Sequence, residues 1–287
     1  LKRLTGETGA EKKAEPLAAR SVPDEKQERL AALRLKIEAV TLKTKVKSSA
    51  ALKEKLPVAN RRLAELVDGV EVENEHGRFF LASRVLPGSS RHGHRNLFEA
   101  LDFDMAAAGM LANEPAIGRH RPSDALFLDT ETTGLTGGSG TMPFLVGLGW
   151  FENQAFHLHQ LLARDFSEEK ALLAHLKQIA ARKKFLVTFN GKAFDVNLLA
   201  TRFILNRLEG DLSWLPHLDL LHPSRRLLGH RLENCRLATL EEQILGVIRD
   251  DDVPGSEIPR RYFDWLRQRK PYLLPGIFDH NRRDVIA

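Results

Sequence analysis

The sequence predicts an α/β fold, a five-stranded sheet flanked by helices with a hairpin-containing extension in front of it. Three observations carry this prediction. From residue 125 onward, short apolar runs alternate with stretches whose leucines recur at helical spacing. The run 125–129 is apolar up to its last residue, as expected of a strand buried on both faces. Gly, Asn and Pro residues punctuate the boundaries between segments.

Residues 68–74 and 78–85, joined at Glu75-His-Gly77, read as a β-hairpin. Residues 87–94 read as loop and 97–111 as one helix. A basic, Pro-containing connector at 118–124 leads into the first core strand, 125–129. The second strand, 144–150, follows a turn at Gly137-Gly-Ser-Gly140, and Glu152-Asn153 turns into a third, 155–162. Residues 166–181 form a helix with acidic residues in its first turn. A fourth strand, 185–189, ends at Asn190-Gly191 and is followed by a helix at 193–208. A fifth strand is placed at 215–221, with helices at 237–245 and 259–268. Pro259 suits the first turn of the latter. A last helix starts near Ile277, and no internal repeat is present.

Three segments are expected: a basic tail over 1–57, disordered or loosely helical, a hairpin-and-helix extension over 58–119, and the α/β domain over 120–287. The 287 residues are 43% hydrophobic, enough for a sizeable core. The single cysteine, Cys235, excludes an intramolecular disulfide and a Cys-rich zinc site. The first residues lack the apolar core of a signal peptide, and no apolar run is long enough to cross a bilayer. A soluble, cytoplasmic protein with no membrane partner is therefore expected. The net charge is +5, but residues 1–55 alone carry 14 Lys/Arg and 8 Asp/Glu, so the remainder sums to −1. A basic arm beside a nearly neutral body suits a polyanionic ligand, and it equally describes a solvated tail. The start at Leu1 and the stop at Ala287, three residues after Asp284, suggest a fragment. A protein partner bound through residues beyond Ala287 stays open.

The chemistry concentrates in Leu126-Phe-Leu-Asp-Thr-Glu-Thr-Thr-Gly-Leu135. Asp129 and Glu131 are i and i+2 on a strand, so both aim at one face. Two such carboxylates repel each other unless a cation joins them. Asp195 ends Phe185-Leu-Val-Thr-Phe-Asn-Gly-Lys-Ala-Phe-Asp195, in the first turn of a helix at the carboxyl end of a strand. Open α/β sheets build their sites at such ends. Asp284 lies in His280-Asn-Arg-Arg-Asp284, where His280 and Asp284 share one helix face. Taken alone, Asp195 is equally an acid favoured by the helix dipole, and Asp284 a solvated helix acid.

Together these residues resemble the DEDD exonucleases of the ribonuclease H-like superfamily. Asp129-Thr-Glu-Thr-Thr-Gly-Leu135 is similar to the family's first motif. Asn190-Gly-Lys-Ala-Phe-Asp195, with Leu199 and Arg202 beyond it, is similar to the second. The Gly-Gly-Ser-Gly turn, Leu218-Asp-Leu-Leu-His-Pro223, Asp252-Val-Pro-Gly-Ser-Glu-Ile-Pro259 and His280-Asn-Arg-Arg-Asp284 resemble the YprB-type bacterial ribonuclease H-like exonucleases. The likeness covers roughly 120–287. One departure is clear: a Tyr subclass places Tyr four residues before the last Asp, and a His subclass places His five before. Here His280 takes the Tyr spacing, and position 279 is Asp.

The resemblance implies a mixed ribonuclease H-like sheet with its second strand antiparallel, and metal-dependent 3′→5′ exonuclease action on a single-stranded or frayed end. The implied cofactors are two divalent cations, Mg²⁺ or Mn²⁺, and the partner is single-stranded DNA or RNA with a free 3′ end. DNA is the first choice. Asp129 would bridge both ions, Glu131 and Asp284 would complete the first site, and Asp195 would serve the second ion. His280 is the expected general base or water-orienting group. Thr132, Gly134 and Leu135 would meet the terminal nucleotide, while Asn190 and Phe194 are further substrate contacts. For Phe194 a core position is an equal reading. A binding module with little catalysis and a structure-specific endonuclease or ribonuclease remain alternatives.

Weaker signals read blandly. The Gly137–Gly140 turn lacks the Gly-Lys-Ser/Thr of a phosphate loop. His157 with His159, and His92 with His94, lack a third metal ligand in the sequence. Arg225, Arg226, Arg231 and Arg236 either track phosphates or form a solvated face. Asp250-Asp-Asp252 reads as an acidic loop with no assigned role.

Overall fold

The computed structural model describes residues 63–134 and 140–287. The expected basic tail, Leu135 and most of the Gly-rich turn lie outside these. Nine strands form among the described residues: β1 (Val70–Asn74), β2 (Gly77–Pro87), β3 (Arg91–His92), β4 (Arg95–Asn96), β5 (Ala125–Thr132), β6 (Pro143–Glu152), β7 (Ala155–Leu162), β8 (Phe185–Thr188) and β9 (His217–Asp219). Seven of them build one mixed sheet in the order β1-β2-β7-β6-β5-β8-β9, while β3 and β4 pair separately. All neighbours from β1 to β5 are antiparallel, and β5-β8 and β8-β9 are parallel.

The five expected core strands are all present. The sheet has seven because the N-terminal hairpin does not stand apart: β2 pairs with β7 along its length, from Phe80↔Leu162 to Pro87↔Ala155. Phe79 and Phe80 are accordingly buried. The third strand matches its expected bounds, and the first runs three residues further, carrying both acids inside the sheet.

The helices of eight or more residues are α1 (Met105–Ala112), α2 (Glu169–Ala180), α3 (Asp195–Leu205), α4 (Leu221–Leu228), α5 (Ile258–Gln268) and α6 (Pro275–Ile286), with shorter helical pieces before and between them. The single helix expected over 97–111 is instead two pieces. A tight turn spans Leu97–Asp102, and α1 begins afresh because the Asp104 side chain accepts a hydrogen bond from Ala106 N at 2.9 Å. The expected fifth strand shortens to three residues, because Leu221 already opens α4, a helix the apolar pattern hid. The helix expected over 237–245 begins as Leu237–Leu240 and widens into a π-type turn at Glu241–Leu245. Such turns often accompany functional groups.

Alternate residues of β5 enter different clusters. Leu126 and Leu128 pack with Leu199 and Phe203 of α3, whereas Ala125 and Phe127 pack with the Ala108–Ile117 region. Phe144 of β6 stacks on Tyr262 of α5, whose hydroxyl donates to Ala163 O at 2.8 Å. Arg202 of α3 pairs with Glu169 of α2, which is nearly fully buried, so this motif residue joins two helices.

Candidate active site

Asp129 and Glu131 continue the Phe127 face of β5, the face covered by α6. Contact is close because β6 presents Gly147 opposite Asp129 and Gly149 opposite Phe127. A Cβ at Gly147 would overlap the Asn281 amide and Val285 of α6. The room is used: Asn281 Nδ2 donates to Asp129 Oδ2 at 2.8 Å, and Gln160 Nε2 donates to Asn281 Oδ1 at 2.9 Å. Asn281 is completely buried. Sequence reasoning missed Asn281, although it stands four residues from both Ile277 and Val285, on the apolar stripe of its helix.

Thr130 faces the opposite side, toward α3, and its hydroxyl donates to Asp195 Oδ1 at the start of that helix. The loop that delivers Asp195 is held by the buried Asp219 at the end of β9. Asp219 accepts from Asn190 N at 2.7 Å, Lys192 N at 3.0 Å and Leu221 N at 3.0 Å. Asn190 takes a left-handed φ of 64° in this loop.

α6 supplies Asp284 and His280. Asp284 Oδ1 forms an ion pair with Arg249 Nη1 at 2.5 Å, and Arg249 also pairs with Glu241 and with Asp252 Oδ2 at 3.2 Å. Glu241 has no exposed side-chain surface and meets His92 Nε2 at 3.0 Å. His92 is thus part of this network and not a metal pair with His94. His280 Nδ1 lies 3.0 Å from both carboxylate oxygens of Asp252. Its Nε2 lies 3.6 Å from Asp284 Oδ2 and 4.0 Å from Glu131 Oε1. The acidic loop 250–252 therefore has a role: Asp251 adopts a left-handed φ of 58°, Asp250 and Asp251 stay exposed, and Asp252 turns inward.

Direct contacts tie the acids to one end of β5: Asp195 bonds Thr130, and the His280 ring lies between Glu131 and Asp284. Burial, then the charges of Asp284, Glu131 and Asp195, hold the Asp129 carboxyl well above the usual range, against the hydrogen bond from Asn281. Glu131 is raised by burial and then by Asp284, Asp195 and Asp252, with Arg249 opposing. Burial pushes Asp195 up to about 6, against its bond from Thr130. Asp284 is raised by burial, with Arg249 and His280 pulling the other way. Asp252 goes down: burial works against it, but His280 and Arg249 prevail. A largely apolar cavity walled by Phe127, Val187 and Phe189 reaches Asp129 and Asp284, so that side offers the charges little solvation.

The donor set is carboxylate oxygen, the kind Mg²⁺ and Mn²⁺ prefer, and a cation would relieve the repulsion among the acids. Among the described residues, however, no three His, Cys, Asp or Glu side chains stand ready to hold a metal ion. On the Asp284 side the Arg249 guanidinium supplies positive charge instead.

Thr132 Oγ1 donates to Gly134 O at 2.7 Å, closing the turn after β5. Leu135 falls outside the described residues. Phe194 is 53% exposed immediately before Asp195, which rules out a core position. Arg225, Arg226, Arg231 and Arg236 are exposed on and after α4. His157 and His159 meet Trp150 through their rings. Among the described residues no helix is long and apolar enough to cross a membrane.

The comparisons agree with this architecture. An uncharacterized protein of Bacillus subtilis strain 168, YprB, is 37% identical over 172 residues, which are 58% of this chain and 41% of that protein. The chain thus spans about two-fifths of that relative's length. The family description RNase_H superfamily matches residues 126–287, from the first core strand through the last helix. The chain belongs to the ribonuclease H superfamily, with that superfamily's nuclease-type fold.

Proposed function

We propose that this chain is a divalent-metal-dependent nuclease of the DEDD type, shortening single-stranded or frayed DNA from its 3′ end. One observation supports it above all. Asp129, Glu131, Asp195 and Asp284 come from three distant stretches and are tied to the end of β5 through Asn281, Thr130 and His280. Such a cluster weakens a fold unless a cation joins it.

In this reading Asp129, Glu131, Asp195 and Asp284 would hold Mg²⁺ or Mn²⁺ once drawn together by the cation. The bound ions would supply an activated water and stabilise the leaving oxygen in phosphodiester hydrolysis. His280 takes the proton from the attacking water through Nε2, the ring edge facing Glu131 and Asp284. Asn281 keeps Asp129 in place, and Thr130 does the same for Asp195. The exposed Phe194 ring offers a stacking surface to a terminal base. Thr132, Gly134 and Asn190 would be further contacts to the DNA strand.

A labelled oligonucleotide incubated with Mg²⁺ or Mn²⁺ tests this reading. Wild type should release mononucleotides from the 3′ end, and Asp129→Ala should stop at background. Equal digestion by Asp129→Ala would remove the assignment. A circular single strand should survive; cutting it would indicate an endonuclease. The Arg249–Asp284 ion pair favours one second reading, a nucleic-acid-binding module with little catalysis. Tight oligonucleotide binding with no turnover at any divalent metal would establish that instead.

A further inference from the structure

We propose that Asp252 is a positioning residue for His280, fixing which ring nitrogen carries the proton and which presents its lone pair to the acidic centre. The inference rests on the role given to His280 above. Helix spacing of i and i+4 brings His280 beside Asp284 but leaves the imidazole able to turn over about its Cβ–Cγ axis. Turning over would exchange the ring edges. Asp252 removes that freedom, because its two oxygens stand 3.0 Å from Nδ1. A carboxylate accepts and cannot donate, so the neutral ring must carry its proton on Nδ1. The lone pair then lies on Nε2, 3.6 Å from Asp284 and 4.0 Å from Glu131.

Asp252 is itself fixed. Val253 N donates to Oδ1 at 2.9 Å and Arg249 Nη1 to Oδ2 at 3.2 Å. Its side chain, like that of His280, is only 15% exposed. Arg249 meanwhile reaches Asp284, so one guanidinium sets the spacing between the carboxylate that orients the base and an acid the base faces. This resembles the way a buried carboxylate holds the histidine of a hydrolytic triad in its useful tautomer. Here the carboxylate comes from a separate loop.

The test has a spectroscopic arm and a kinetic arm. Metal-free protein labelled with ¹⁵N-histidine is measured at alkaline pH, with His280 identified by its loss in His280→Gln. His280 should be in the Nδ1–H form, and Asp252→Ala should shift it toward Nε2–H. Finding the Nε2–H form in wild type overturns the proposal without any variant, so the test does not depend on Asp252→Ala folding. Finding no shift in Asp252→Ala overturns it as well. In the nuclease assay, Asp252→Ala should lower kcat by about 10–100-fold with little change in KM, the size of effect typical of groups that orient a functional side chain. Adding His280→Ala should cost little more; losses that multiply would mean Asp252 acts independently of His280. If no nuclease activity is found in wild type, the spectroscopic arm still decides the positioning role.

Discussion

The two sides of the carboxylate centre are held by different chemistry. On the sheet side the partners are neutral: the Asn281 amide for Asp129 and the Thr130 hydroxyl for Asp195. On the helix side they are charged: Arg249 joins Glu241, Asp252 and Asp284. A neutral donor orients a carboxylate but leaves its charge uncompensated. A guanidinium compensates the charge and occupies the space around it. The sheet side is therefore where demand for a cation is greatest, and the helix side already carries one.

Removing Arg249 should give the largest loss of stability. Arg249→Leu would leave Glu241 buried and Asp252 and Asp284 without their cation, costing roughly 3–5 kcal/mol. Denaturant titration of the metal-free protein checks this. A loss below about 1 kcal/mol would mean that the helix side is not held by charge. Asn281→Ala should cost less, about 1–3 kcal/mol, because it strands the Gln160 amide and one oxygen of Asp129. Its stability should recover further on adding Mn²⁺ than that of Arg249→Leu.

The smallest effect is a pH dependence with opposite signs on the two sides. Asp195 has a raised pKa in the fold, so its contribution is complete below the ordinary carboxylate value and is lost as pH rises through about 6. The melting temperature of metal-free protein should therefore rise on acidification from neutral pH through that window. Asp195→Asn should flatten the rise. Asp252 is held low, so its contribution is present above the ordinary Asp value and lost only as pH falls through its lowered pKa. A single monotonic profile that neither Asp195→Asn nor Asp252→Asn altered would erase the distinction.

The sheet side was the more legible from sequence. A continuous apolar strand ending in Asp-x-Glu states its own geometry, since period two places both acids on one face. Asp195 after a strand and the His280/Asp284 spacing followed from equally local rules. Arg249 and Asp252 did not, because their partners lie 8, 28 and 35 residues away in the chain and no periodicity links them. Arg249-Asp-Asp-Asp252 looks like a solvated loop, and only the left-handed turn at Asp251 decides which acid faces inward. The N-terminal hairpin was readable as a hairpin. Its place on the edge of the sheet was not, because β2 finds β7 across 68 to 82 residues of chain.

Gly147 contributes no functional group, yet the clearance it leaves sets how far the last helix stands off the sheet. Any side chain there would act as a shim. It would lift His280 and Asp284 together, as one rigid piece, while the strand acids stayed where they are. The gap between the two halves of the centre is thus gauged by an atom the chain omits.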